Sequence, residues 1–314
     1  MTLVIGRFFD NKKDLFIKSD TRLSSDIQYL SGTTEFTPLN GYIKTIILTP
    51  RLCLSYAGNT HYAQKFIKAF YEYLWEGCRS YEEFLEKTLQ YHLECKQETD
   101  FIIAYADPEF PRLDKISNGK TYYTALNAWI GDKPAFEKYQ TYLSAESDED
   151  TLDQRMFKAF DKVLADTSIN TVGDYHVTAY LDYEQTETNS PIFLYNYHAD
   201  IRPHNQTIQA NTPTPLYVGT PDVGDYGVCY LRTLSRKIHG IALYFPEGKF
   251  GLFFCPSLFF NNDEPTKGEL VMNVSGKEFV AQIQKRYKVV LQGLIVENGR
   301  IFPINHKETV RRES

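Results

Sequence analysis

Apolar and polar positions alternate in short blocks over the first sixty residues. Leu3-Val4-Ile5-Gly6-Arg7-Phe8-Phe9 and Leu15-Phe16-Ile17-Lys18-Ser19-Asp20 flank the polar run Asp10-Asn11-Lys12-Lys13, which predicts a β-hairpin. Residues 42–49 and 52–57, joined by Pro50-Arg51, predict a second one. Its first strand carries Ile43, Ile46, Ile47 and Leu48, the composition of a strand covered on both faces. The period then becomes helical. Ala63, Phe66, Ile67, Phe70 and Leu74 recur at helical spacing, and a second helix over about 80–95 opens on Ser80-Tyr81-Glu82-Glu83, a capping-box sequence. Strand character returns at 101–106 and around 125–130. Helices near 135–143 and 150–164 follow, and a strand at 176–181 closes the run.

The predicted order is hairpin, hairpin, two helices, two strands, two helices, strand. Grouped strands and paired helices suit an α+β fold of two stacked sheets between helix layers. After about residue 184 the texture changes. Thr186-Glu187-Thr188-Asn189-Ser190-Pro191 reads as a connector, followed by short strand-like runs such as 240–245 and 250–254. One helix over 277–287 precedes strands at 289–296 and 301–303. The expected organisation is therefore a first domain over 1–183 and a mostly β extension with one helix over 184–314.

Composition narrows the function classes. The 34 basic and 40 acidic residues give a formal net charge of −6 and are mixed along the chain, without the basic patch of a nucleic-acid surface. The acidic run Glu146-Ser147-Asp148-Glu149-Asp150 and the basic Arg311-Arg312 read as solvated loop and tail. Cysteines at 53, 78, 95, 229 and 255 form no CxxC pair, which argues for a reducing compartment. There is no basic leader before a long apolar core and no uncharged run of membrane-spanning length. A soluble, cytoplasmic protein that binds neither nucleic acid nor membrane is expected. His198 and His204 around Asp200 lack further spaced ligands and read as ordinary loop residues, so no metal is expected. Gly219-Thr220-Pro221-Asp222-Val223-Gly224 lacks the lysine and helix of a phosphate loop, Cys53 reads as buried filler, and no cofactor is expected.

Several segments form an ordered set: Thr2-Leu3-Val4-Ile5-Gly6, Ser19-Asp20-Thr21-Arg22, Asn40-Gly41-Tyr42-Ile43-Lys44 and Tyr56-Ala57-Gly58, with Ile130-Gly131-Asp132 and Thr171-Val172-Gly173 as weaker echoes. In that order they resemble the proteasome-type N-terminal-nucleophile (Ntn) hydrolases: proteasome β subunits and the bacterial ATP-dependent threonine peptidase. The resemblance covers rather more than half of the chain. It implies a four-layer αββα sandwich, a threonine nucleophile at Thr2, and Asp20, Lys44 and Gly58 in the positions of the family's acidic residue, lysine and strand-end glycine. It further implies a peptide or amide substrate, a homo-oligomeric ring and an ATP-driven unfoldase as partner. This sequence departs from the family in a longer stretch between Asp20 and Lys44, in Asp132 where a serine is usual, and in a final third without counterpart.

The chemistry follows from those residue types. A hydroxyl needs a base to take its proton, and a chain beginning with threonine carries one in its own α-amine, with a reference pKa of about 8. A lysine charge nearby favours the neutral amine, and a carboxylate holds that lysine in place. Thr2, Lys44 and Asp20 fit those three roles, provided that Met1 is trimmed, as methionine before a small residue normally is. A first hairpin turning about Lys12 sets Thr2 opposite Arg22 and Val4 opposite Asp20, with Thr2 and Asp20 on one face. The Gly58 amide is placed to donate to an oxyanion. Beside this threonine peptidase or amidase stands a different class: a non-catalytic scaffold or assembly subunit whose C-terminal extension binds a partner.

Overall fold

The computed structural model describes residues 2–9, 14–22, 41–124, 126–147, 149–166, 168–169, 171–173, 175–183, 190–197, 199–200, 207–208, 216–217, 228–235, 237–246, 248–297 and 300–305. The readings on Met1, the 10–13 turn, Asn40, the 186–189 connector, His198, His204, the 219–224 segment and the 311–312 tail lie outside them. The chain forms two compact units, Met1–Tyr195 with Cys255–Gly268, and Asn196–Phe254 with Glu269–Ser314. The expected boundary at 183/184 leaves 184–195 and 255–268 with the extension. In the structure a strand at Ile192–Tyr195 pairs with the first unit's own sheet, its Phe193 and Tyr195 almost fully buried.

The first unit is α+β. Its elements are β1 (Leu3–Phe9), β2 (Asp14–Asp20), β3 (Thr45–Thr49), β4 (Leu52–Gly58), α1 (Thr60–Ala69), α2 (Tyr81–Glu94), β5 (Thr99–Tyr105), β6 (Arg112–Ser117), β7 (Lys120–Thr124), β8 (Asn127–Gly131), α3 (Lys133–Ala145), α4 (Leu152–Ala165), β9 (His176–Asp182) and β10 (Ile192–Tyr195), with a short α5 (Pro256–Phe259) on the returning segment. Beyond Ala69, α1 continues as a π turn over Phe70–Leu74. The predicted order misses β6 and β7. They are joined through Asn118 and Gly119, both at positive φ (51° and 69°), and Asn-Gly is the strongest short hairpin signal a sequence offers. Ser80 caps α2 by accepting from the Glu83 N–H at 3.2 Å. The Glu83 carboxylate takes the Arg79 N–H instead of returning to Ser80, so only half of the predicted box forms.

Two antiparallel sheets result, ordered β10-β9-β2-β1-β8 and β3-β4-β5-β6-β7. They touch through β1 with β4, β8 with β4, β5 and β6, and β3 with β2, β9 and β10. A buried hydroxyl chain links them: Thr45 Oγ1 lies 2.9 Å from both Ser19 and Ser55. Leu3, Ile5 and Phe16 of the first sheet form one core with Ala135 and Tyr139 of α3 and Met156, Phe160 and Val163 of α4. Helices α1 and α2 contact the second sheet, where the Phe66 and Phe101 rings lie 5.2 Å apart. These apolar contacts are where the helical and strand periodicities of the sequence bury their apolar faces.

The second unit is mostly β. It contains β11 (Ala199–Asp200), β12 (Thr207–Ile208), β13 (Leu216–Tyr217), β14 (Val228–Thr233), β15 (Ile241–Phe245), β16 (Phe250–Phe254), β17 (Glu269–Met272), α6 (Gly276–Tyr287), β18 (Leu291–Glu297) and β19 (Arg300–Ile304). The main sheet runs β17-β16-β15-β14-β18-β19, with β11 also on β14, and β12 pairs with β13. Ser275 and Glu278 form a complete capping box at the start of α6. The Phe279 ring of α6 lies where a side chain on Gly251 would stand, 2.5 Å from the ideal Cβ position. Among the described residues no helix is long and apolar enough to cross a membrane.

Candidate functional site

Asp20 ends β2 and is fully buried. One carboxylate oxygen accepts the Leu3 N–H at 3.0 Å. The other accepts the Arg22 N–H at 3.2 Å and the Lys44 ammonium at 3.0 Å. Lys44 also donates to the Arg22 carbonyl, and its side chain is only 2% exposed. The Leu3 N–H belongs to the peptide that follows Thr2, so the Asp20–Lys44 pair is seated at the Thr2–Leu3 link.

Thr2 is buried, and its carbonyl accepts the Asp132 N–H at 2.6 Å. Gly131, at φ +108°, makes that approach possible: an ideal Cβ there would stand 1.8 Å from the Thr2 carbonyl oxygen and 3.4 Å from the Ala57 Cβ. The starts and ends of β1, β8 and β4 therefore meet at one point. Gly58 is the next residue after Ala57, at φ +107°, with the Glu98 carbonyl 2.1 Å from its ideal Cβ position. Asp20 and Lys44 are thus paired at the peptide that joins Thr2 to Leu3, and Gly58 stands one residue beyond Ala57.

The route to this arrangement differs from the expected one. Phe9 pairs with Asp14 and Val4 with Ser19, so four residues separate the strands and the register is one off that of a turn about Lys12. Continued to the end, Leu3 faces Asp20 and Thr2 faces Thr21. Strict alternation would then part Thr2 from Asp20. Asp20 still reaches the Thr2–Leu3 peptide because it lies at the strand end, where its carboxylate accepts a backbone N–H of β1.

Asp132 is bonded through both of its carboxylate oxygens. One of its carboxylate oxygens caps α3 through the Ala135 N–H at 2.8 Å, and the other accepts the Thr171 hydroxyl at 2.7 Å. The Arg22 guanidinium donates to the Val172 carbonyl at 3.4 Å and fills the space beside Gly173. The turn at 171–173 thus connects the α3 start to the residue that holds Lys44.

Other members escape sequence reasoning. Tyr56 donates its N–H to the Lys44 carbonyl at 3.0 Å and its hydroxyl to the Ile43 carbonyl at 3.3 Å. Burial pushes its phenol upward, a hydrogen bond with Thr266 offsets part of that, and the Asp20 charge adds to it. Gln64 on α1 and Thr266 on the returning segment complete this layer. Thr266 sits in a stretch without periodicity, so no local signal marks it. Beside Tyr42 a cavity of about 500 Å³ opens between α1 and Asp263-Glu264. Among the described residues no three His, Cys, Asp or Glu side chains gather as a metal-holding group.

No family model and no curated protein matches the chain. Among solved structures, the crystal structure of eukaryotic HslV from Trypanosoma brucei is similar over 57% of this chain and 98% of that one, at 9% identity and a TM-score of 0.40. At that identity and TM-score nothing about the chemistry is carried across.

Proposed function

We propose that the first unit is a four-layer αββα Ntn hydrolase of threonine type, acting on a peptide or amide bond. The observation that carries this reading is the buried Asp20–Lys44 pair, whose carboxylate also binds the peptide after Thr2. Once Met1 is removed, the Thr2 hydroxyl attacks the amide carbonyl while the α-amine takes its proton. The Lys44 charge, held by Asp20 and the Arg22 carbonyl, favours the neutral amine. The Gly58 N–H donates to the oxyanion, the amine returns the proton to the leaving nitrogen, and water hydrolyses the Thr2 ester. A homo-oligomeric ring fed by an ATP-driven unfoldase is the assembly the sequence resemblance implies. Light scattering tests it, and a monomer at working concentration would remove the ring.

One observation favours a second reading, a scaffold without catalysis. The Asp132 carboxylate caps α3 and holds the Thr171 hydroxyl, a structural task that needs no catalysis. Intact mass before and after a β-lactone or epoxyketone separates the two. Loss of Met1 and a single adduct, absent in Thr2→Ala, is the expected result. A retained Met1, or a trimmed chain that takes no adduct, would leave the scaffold reading in possession.

A further inference from the structure

We infer that Thr266 is a positioning residue for Lys44, delivered into the first unit by the segment that leaves β16 and returns to β17. Its catalytic meaning rests on the Thr2 reading above; its structural half stands independently. The two strands pair with each other in the second unit, yet the 255–268 stretch between them belongs to the first. Thr266 on that stretch is fully buried.

Each polar group of Thr266 is used. Its hydroxyl receives the Gln64 amide and lies 3.2 Å from the Tyr56 hydroxyl. Its N–H donates to the Gln64 side-chain amide oxygen at 3.0 Å, and its backbone carbonyl accepts the Ile43 N–H at 3.1 Å. On either side, the Gly268 N–H reaches the Gly41 carbonyl at 3.3 Å, Lys267 forms a bridge with Tyr42, and Glu264 takes the Tyr42 hydroxyl. Residues 41–43 thereby gain an antiparallel partner just before β3 begins.

That partner matters because of where Lys44 sits. Among the described residues β3 is the edge of its sheet, with β4 as its one neighbour there. On the β4 side, Tyr56 holds the Lys44 carbonyl by its N–H and the Ile43 carbonyl by its hydroxyl. The returning segment holds the Ile43 N–H. The Thr266 hydroxyl is the junction at which Tyr56 from β4 and Gln64 from α1 both end. A reacting group is held to about 0.5 Å only when the neighbours that fix its backbone are themselves fixed. Thr266 supplies that support to the backbone that carries the Lys44 ammonium.

The test uses the full chain and three variants. Thr266→Val keeps the shape and deletes the hydroxyl, Thr266→Ser keeps the hydroxyl, and Gln64→Met removes the amide that meets it. Two quantities are read: the rate of β-lactone addition to Thr2 from about pH 6 to about pH 9, and hydrogen exchange in the peptide spanning 41–48. Thr266→Val is expected to slow addition by about tenfold, displace its pH profile and speed exchange, with Thr266→Ser within about twofold of the parent. Parent-like exchange in Thr266→Val would overturn the inference, as would equal slowing in the Ser and Val variants. If the parent takes no adduct while Thr266→Val still exchanges faster, the nucleophile reading fails and the positioning of Lys44 stands. Should Thr266→Val not fold, Gln64→Met, which strips support from Thr266 alone, carries the same comparison, and unchanged exchange there is the overturning result.

Discussion

Deleting the Lys44 charge isolates what the buried pair is worth. Lys44→Met keeps a long unbranched side chain and leaves Asp20, fully buried, with two backbone N–H donors and no counter-charge from position 44. Removing one partner of a buried ion pair costs about 3–5 kcal/mol. The Leu3 and Arg22 amides continue to serve the carboxylate, and hydrogen bonds to a charged group are worth about 1.5–3 kcal/mol each. The expected loss is therefore at the low end, about 3 kcal/mol. Adding Asp20→Asn removes the stranded charge and should return about 1–2 kcal/mol, the signature of a coupled pair. The return is incomplete because an asparagine amide meets two N–H donors with one oxygen. Urea unfolding followed by tryptophan fluorescence measures this well, since both tryptophans, Trp75 and Trp129, lie in the first unit. A loss below about 1 kcal/mol at unchanged m-value would place the pair in the class of solvated surface bridges and refute the buried geometry. Simple additivity of the two substitutions would refute the coupling.

Three further outcomes follow from single contacts. Gly131→Ala drives a Cβ to 1.8 Å from the Thr2 carbonyl oxygen at φ +108°, backbone against backbone, so its cost is expected to exceed about 3 kcal/mol; a parent-like thermal midpoint would contradict the contact. Desolvation raises the Asp100 carboxyl above the usual aspartate range, partly offset by the Ser117 hydroxyl. The folded chain then keeps a proton that the unfolded chain has released, so stability present at acid pH is lost as pH climbs from the unfolded value through the raised folded one. Asp100→Asn should flatten that fall in urea melts between about pH 3.5 and about pH 6, and an unchanged slope would count against it. Burial pushes the Cys255 thiol to about 11 and the Cys229 thiol to about 12, while Cys78 is the free cysteine that is only half-buried. Iodoacetamide near neutral pH should modify Cys78 first, read by peptide mass mapping, and early labelling of Cys229 or Cys255 would show that their burial is overstated.

Much of the first unit was determined locally. Short apolar runs on either side of the polar 10–13 segment marked β1 and β2, helical spacing at 63, 66 and 67 marked α1, and Ser80 marked the start of α2. Those periods belong to the backbone itself and need no partner to be read. The Asn118-Gly119 turn was equally local, so β6 and β7 were legible though not predicted. Register was a different matter: whether four or an odd number of residues closes the first hairpin decides which side chain faces Asp20, and composition of the turn does not say. The site itself was decided by tertiary structure. Asp20 finds Lys44 and the Leu3 amide at separations of 24 and 17 residues, and Thr266 finds Gln64 across 202. Contacts so distant in sequence leave no period behind, because they are selected by packing and hydrogen-bond satisfaction of the whole unit and by no neighbouring residue.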